Sequence, residues 1–185
     1  MTTTNDIFQQ TEAFLRSRGT SDIAHLNGNF FSHLRGTADL LAEWGNVEYV
    51  CLAGLCHATY GTQGFAQGIL EHDERHLLRE AVGRDAEEVA YFYCSCDRSY
   101  LYPTIGTPRP FKFRNRFTGH VSEPSEQTVR DFLEVTFSNE VELGSLSQNF
   151  IDKGRAFFQD FMPRCKPYVS QPAFNRAAEM FDLPV

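Results

Sequence analysis

Apolar positions along this chain recur mainly at helical spacing. Residues 6–18 carry Ile7, Phe8, Ala13, Phe14 and Leu15 and predict an amphipathic helix that ends before Gly19. After a loop over 19–28, residues 30–44 place Phe30, Leu34, Thr37, Ala38 and Leu41 on one stripe, stopped at Gly45 and Asn46. Residues 47–57 are almost entirely apolar, and a helix that is apolar on every side is normally buried on every side. Gly61, Gly64 and Gly68 mark a loop over 58–68. A polar helix is predicted over 72–82, closed by Gly83, and another over 86–100 with Asp85 as its N-cap.

The pattern changes after Tyr100. Pro103, Gly106, Pro108 and Pro110 break any helix, and residues 111–117 alternate apolar with polar, the period of a strand. A partner around 119–122 gives a short hairpin. Helical spacing returns over 125–142 and 146–162, Pro163 and Pro167 interrupt, and a last helix covers 172–181. The expected fold is mainly α, a helical bundle with a short β-hairpin insertion near 111–121. Neither half alone supplies a closed core, so residues 1–185 read as a single domain.

Composition narrows the function classes. A chain of 185 residues is long enough to bury roughly 70% of its unfolded surface. Its 17 Phe and 7 Tyr belong to core or pocket walls. A formal net charge of −7 argues against a nucleic-acid partner, which needs a basic face. No stretch approaches the ~20 apolar residues of a membrane span, and residues 1–10 lack the basic and apolar regions of a signal peptide. Five cysteines without framework spacing read as reduced thiols, so the expected compartment is the cytoplasm. Cys94 and Cys96 are two apart, which is not a zinc spacing.

Two histidines sit where imidazole is costly. His57 ends the most apolar segment, and His33 lies between apolar neighbours on a helix. A buried imidazole must satisfy both nitrogens; a backbone carbonyl is the plain solution and a metal ion the functional one. His72 and His76 share the i, i+4 spacing of a metal pair, but their neighbours are all polar, so they read as a solvated face. His120 reads as surface. Lys112, Arg114 and Arg116 alternate with Phe111, Phe113 and Phe117; this is read as a strand with aromatics inward and cations outward. Asn139 and Glu140 fall in a largely apolar helix and either close a pocket from the C-terminal half or serve helix contacts.

The segment Gly28-Asn29-Phe30-Phe31-Ser32-His33-Leu34 is followed by Ala53-Gly54-Leu55-Cys56-His57 and then by Cys96-Asp97-Arg98. This order resembles the HD-domain superfamily, most closely its alarmone-hydrolase branch, over about residues 25–100. An uncharacterised HD-like domain-of-unknown-function family is more similar still. It shares a His-x7-His-Leu-x-Gly-Thr run, here from His25 to Thr37, and an Ala-Gly-Leu-x-His-x-x-Tyr-Gly-Thr run, here from Ala53 to Thr62. The resemblance implies an HD-like core over 25–100, with a helical extension over 123–183. It also implies one divalent metal ion per chain, with His33, His57 and Asp97 as ligands. Imidazole and carboxylate donors suit iron, manganese or zinc better than calcium.

The departures carry as much weight. The Asp that should follow His57 is Ala58, and the later acidic pair is replaced by Tyr60-Gly61-Thr62. Alarmone hydrolysis is therefore excluded, and a mononuclear site is expected. His25 is either a replacement ligand or an exposed loop residue. Tyr60 is either a proton donor near the site or a packing residue; Arg98 either pairs with an anionic substrate or makes a structural salt bridge. The expected function is a metal-dependent hydrolase or non-haem-iron-type oxygenase acting on a small, anionic molecule. The alternatives are a catalytically retired, metal-free binding or sensor module, and a metal-free enzyme using Tyr60 and His57 as acid and base.

Overall fold

The core of the molecule is organised around two helices that are buried on nearly all sides. In the computed structural model, which describes residues 4–26, 28–108 and 110–183, α3 (Glu48–Leu55) buries every residue from Val50 to Leu55. The longest helix, α7 (Glu126–Leu146), buries a continuous run from Asp131 to Glu142. α7 packs against α2 (Phe30–Glu43), α3, α5 (Arg84–Ser95), α8 (Gln148–Cys165) and α9 (Gln171–Phe181). α1 (Thr4–Ser17) lies against α4 (Arg75–Val82) and α3.

The side chains of α3 divide the apolar interior. Val50, Cys51 and Ala53 join a cluster with Phe132, Phe137 and Phe161 of the C-terminal helices. Leu52, Leu55 and Cys56 join a second cluster with Leu15, Phe30, Leu34 and Leu78. Gly54 allows α3 to approach α2, since a Cβ there would stand 2.3 Å from Leu41 Cδ1.

Serine and asparagine start several helices, their side chains accepting from the first-turn N–H groups. Asn29 caps α2 and Ser125 caps α7, while Ser147 and Ser170 cap α8 and α9. The mainly helical fold with a short hairpin is as expected: β3 (Phe113–Arg114) pairs antiparallel with β4 (Val121–Ser122). A further two-stranded pair, β1 (Ala24–His25) with β2 (Gly28–Asn29), occupies the expected loop before α2.

Four local expectations differ. The polar helix begins at Arg75, leaving His72 outside it and stacked on Phe117 with ring centroids 5.0 Å apart. Gly83, not Asp85, precedes α5. The helix predicted over 86–100 breaks at Cys96, whose bridge to Asn115 opens a gap before α6 (Arg98–Leu101). Pro163 lies within α8, which continues to Cys165. No helix among the described residues is long and apolar enough to cross a membrane.

Candidate functional site

His33 and His57 meet beneath the β1–β2 turn. α2 carries His33 inward one helical turn after its Asn29 cap. His57 follows the C-cap of α3, where its Nδ1 donates to the Gly54 carbonyl at 2.7 Å. His33 Nδ1 is hydrogen-bonded to the Glu142 carboxylate. The two Nε2 atoms then face each other at 3.2 Å. Two bare nitrogen lone pairs repel at that distance, so a shared proton or a cation must lie between them.

These rings line a cavity of about 420 Å³, within the size range of small-molecule sites. Its N-terminal wall includes His25, Ala58 and Phe65; its C-terminal wall includes Asn139, Glu140 and Phe150. Tyr93 and Arg98 complete it. Three polar groups there have no protein partner among the described residues. His25 Nδ1 and the Tyr93 hydroxyl are both buried without a hydrogen bond. The Arg98 guanidinium has no hydrogen bond or ion pair; it lies 5.1 Å from the centre of the Tyr93 ring. Buried polar groups are normally satisfied, so this cavity is shaped for a polar occupant.

Burial sets the electrostatics. Desolvation, with His33 nearby, lowers the His57 pKa from 6.5 to about 3 and that of His25 to about 4. Both imidazoles are therefore neutral near pH 7. Burial raises the Glu140 carboxyl, although Arg98 opposes this. Burial also works against the Arg98 charge, but Tyr93, Tyr102 and Glu140 outweigh it and hold the guanidinium protonated.

The expected site residues fall into two groups. His25, His33, His57 and Arg98 come together on the cavity. Asp97 and Tyr60 do not. The Asp97 carboxylate accepts Arg114 Nε at 2.8 Å and Ser99 Oγ at 2.6 Å, and it is absent from the described cavity lining. Those same partners lower its pKa, Ser99 first. Tyr60 donates to Glu87 Oε1 at 3.0 Å. Glu87 is fully buried and also accepts Arg75 and Arg79; this ionic knot fixes α4 to α5. Tyr60 is thus structural, and the proposed Tyr60–His57 acid–base pair is not formed.

His25 is close to His33 but unsuited to share an ion with it in this arrangement. Their rings stack with centroids 4.4 Å apart and planes within 20°. Imidazoles bind a metal in the ring plane, and two nearly parallel, offset planes do not meet at one nearby ion. Among the described residues no group of three or more His, Cys, Asp or Glu is placed to hold a metal. What remains is a two-nitrogen pair. At Zn–N distances of about 2.0–2.1 Å, two cis imidazole nitrogens stand roughly 3 Å apart, so the His33–His57 spacing suits such a pair. The outer hydrogen bonds suit it too: ligating histidines commonly donate their other N–H to a carboxylate or backbone carbonyl, as these do to Glu142 and Gly54.

Glu142 and Tyr93 were not singled out in the sequence. Glu142 follows Asn139 by three residues, which puts both on one helix face; that spacing was the available signal.

Fold and site together define a mainly helical protein with a histidine-lined cavity. Residues 14–98 match the family model described as Domain of unknown function (DUF6817). That segment holds all three cavity histidines, whereas Asn139, Glu140, Glu142 and Phe150 lie outside it. No curated protein and no solved structure matches the chain.

Proposed function

We propose that the chain is an HD-like metal-dependent hydrolase of a small molecule, with one divalent transition-metal ion held by His33 Nε2 and His57 Nε2. The observation that carries this reading is their 3.2 Å approach, with each Nδ1 already committed to an acceptor. Residue 58, the position at which an HD pattern carries its Asp, lines the same cavity as the two histidines; that placement, and not the alanine itself, supports the HD-like reading. An ion there supplies Lewis acidity, polarising a substrate oxygen or acidifying a water.

The chain's own groups have separable tasks. Glu142 and the Gly54 carbonyl hold the two imidazoles in the tautomer that turns both Nε2 atoms toward each other. Arg98 binds the anionic end of the substrate, and Asn139 orients it by hydrogen bonding. Glu140 lines the cavity beside Arg98 and accepts Asn139 Nδ2 at 3.2 Å, a position from which a carboxyl exchanges a proton with the leaving group. Phe30, Phe65 and Phe150 exclude water from the inner end.

Elemental analysis of protein purified without a metal-affinity step tests the reading. The expected result is about one manganese, iron or zinc per chain, with thermal stabilisation on metal addition and loss of both in His57→Ala. No metal and no thermal shift would overturn it. Oxygen consumption by the iron-loaded protein would favour the oxygenase instead. The metal-free binding module is the second reading; it is favoured by Ala58 and by the diversion of Asp97 to Arg114.

A further inference from the structure

The inner cavity has a neighbour on the side of Arg98. A second, open groove of about 860 Å³ runs from there over Tyr102 and Phe157. Gly64, Arg98 and Glu140 line both spaces, so the two adjoin at these residues. Gly64 stands at the junction without a side chain, and a Cβ there would meet nothing within 4 Å.

The groove offers an aromatic shelf. Tyr102 stacks on Phe161 at 4.1 Å and on Phe157 at 5.9 Å between centroids. Phe157 is 46% exposed, an unusual state for a large apolar ring on this chain. The cations at the junction are unequally committed. Arg164 already donates to the carbonyls of Tyr102 and Ile105 and pairs with Asp160. Arg98 has its guanidinium uncommitted, anchored through its backbone N–H to Gln63 Oε1 at 3.0 Å. Close by, Tyr93 is 1% exposed and its hydroxyl is buried without a partner among the described residues.

We infer that the site takes an aryl-substituted carboxylate, its carboxylate on Arg98 and Tyr93 and its ring on the Tyr102–Phe157 shelf. A planar guanidinium fork matches a carboxylate in two parallel hydrogen bonds. Arg98 is the one uncommitted guanidinium among the described lining residues, which matches a single negative charge better than a dianionic phosphate. This names the substrate class of the proposed enzyme and rests on that reading of the cavity, but not on the metal.

Calorimetric titration of EDTA-treated protein with 3-phenylpropionate separates the two. Binding is expected, at least tenfold tighter than for propionate, 3-phenylpropan-1-ol or phenyl phosphate, a gap of about 1.4 kcal/mol or more. Phe157→Ala and Gly64→Leu should each weaken binding several-fold, the first by removing the shelf and the second by obstructing the junction. Arg98→Gln should abolish binding and Arg98→Lys should weaken it, with circular dichroism checking that each is folded. Absence of binding up to about 5 mM, equal binding of the alcohol, tighter binding of phenyl phosphate, or unchanged affinity in both Phe157→Ala and Gly64→Leu would overturn the inference. Because metal is absent throughout, failure here leaves the elemental analysis to judge the metal reading separately.

Discussion

Glu142 reaches His33 because residue 36, one turn further along α2, has no side chain. A Cβ on Gly36 would stand 2.9 Å from Glu142 Cγ and 3.1 Å from its Oε1. The glycine therefore keeps open the path by which the α7 carboxylate holds the imidazole. Gly36→Ala should displace Glu142 while gaining up to about 1 kcal/mol of helix propensity. The expected outcome is near-unchanged thermal stability with metal affinity down by roughly 10–100-fold, as when a ligating histidine loses the acceptor that orients it. Metal titration of the variant and of Glu142→Gln checks this; unchanged affinity in both would remove Glu142 from the site.

Tyr60→Phe tests the other assignment of a polar partner. The hydroxyl's bond to Glu87 is worth about 0.5–1.5 kcal/mol, and up to 3 where the partner is charged. Stability should fall by that much, with metal and carboxylate binding unaltered. Glu87→Gln should cost more than Tyr60→Phe, because Arg75 and Arg79 lose their counter-charge, but less than the ~3–5 kcal/mol of a fully buried broken pair, since both guanidiniums keep access to water. A Tyr60→Phe variant that is stable but inactive would restore Tyr60 to the chemistry.

Acid should destabilise the metal-free protein above the usual carboxylate range. His57 and His25 have folded pKa values of about 3 and about 4, against 6.5 unperturbed. Between those values the unfolded chain binds protons that the folded chain excludes. Stability is thus fully present above pH 6.5 and is lost as pH falls, by up to about 1.4 kcal/mol per pH unit for each excluded proton. His25, being only half-buried, contributes less. Urea midpoints near pH 7, 6 and 5 report this directly; a flat profile would show that the histidines are protonated in the fold.

Ala58→Asp introduces, beside His57, the acidic residue that the proposed HD-like reading lacks. At a position 3% exposed, an unpaired carboxylate should lower the stability of the metal-free protein by a few kcal/mol. Metal should then stabilise the variant more than the parent chain, since a third donor tightens binding. The comparison is a pair of thermal-shift titrations with manganese or zinc. An equal shift in both proteins would mean that residue 58 does not face the ion.

Local pattern was enough to place most helices: α2 buries a stripe that recurs at helical spacing, and α3 is an unbroken apolar run, buried as such a run should be. It was enough, too, to bring His25, His33, His57 and Arg98 to attention. Asp97 was misplaced for a non-local reason. The chain turns at Cys96, where the Asp97 N–H bonds the Arg114 carbonyl at 3.0 Å, and the hairpin then delivers the Arg114 side chain to the carboxylate. Nothing within residues 86–100 encodes that pairing. Glu142 was passed over for a similar reason: its spacing from Asn139 marks a shared helix face, but its partner His33 lies 109 residues away. The His72–His76 spacing lost its meaning once the helix began at Arg75.

All five cysteines are reduced and buried, and they are divided between the two sides of α3. Cys56 and Cys94 belong to the N-terminal cluster, and Cys51, Cys96 and Cys165 to the C-terminal one. A thiol-specific alkylating reagent therefore reacts only when the protein opens, and the mass of each tagged peptide records which side opened. The wild-type chain carries its own clock for local unfolding, one that needs no engineered label and that a ligand bound between the two sides would slow.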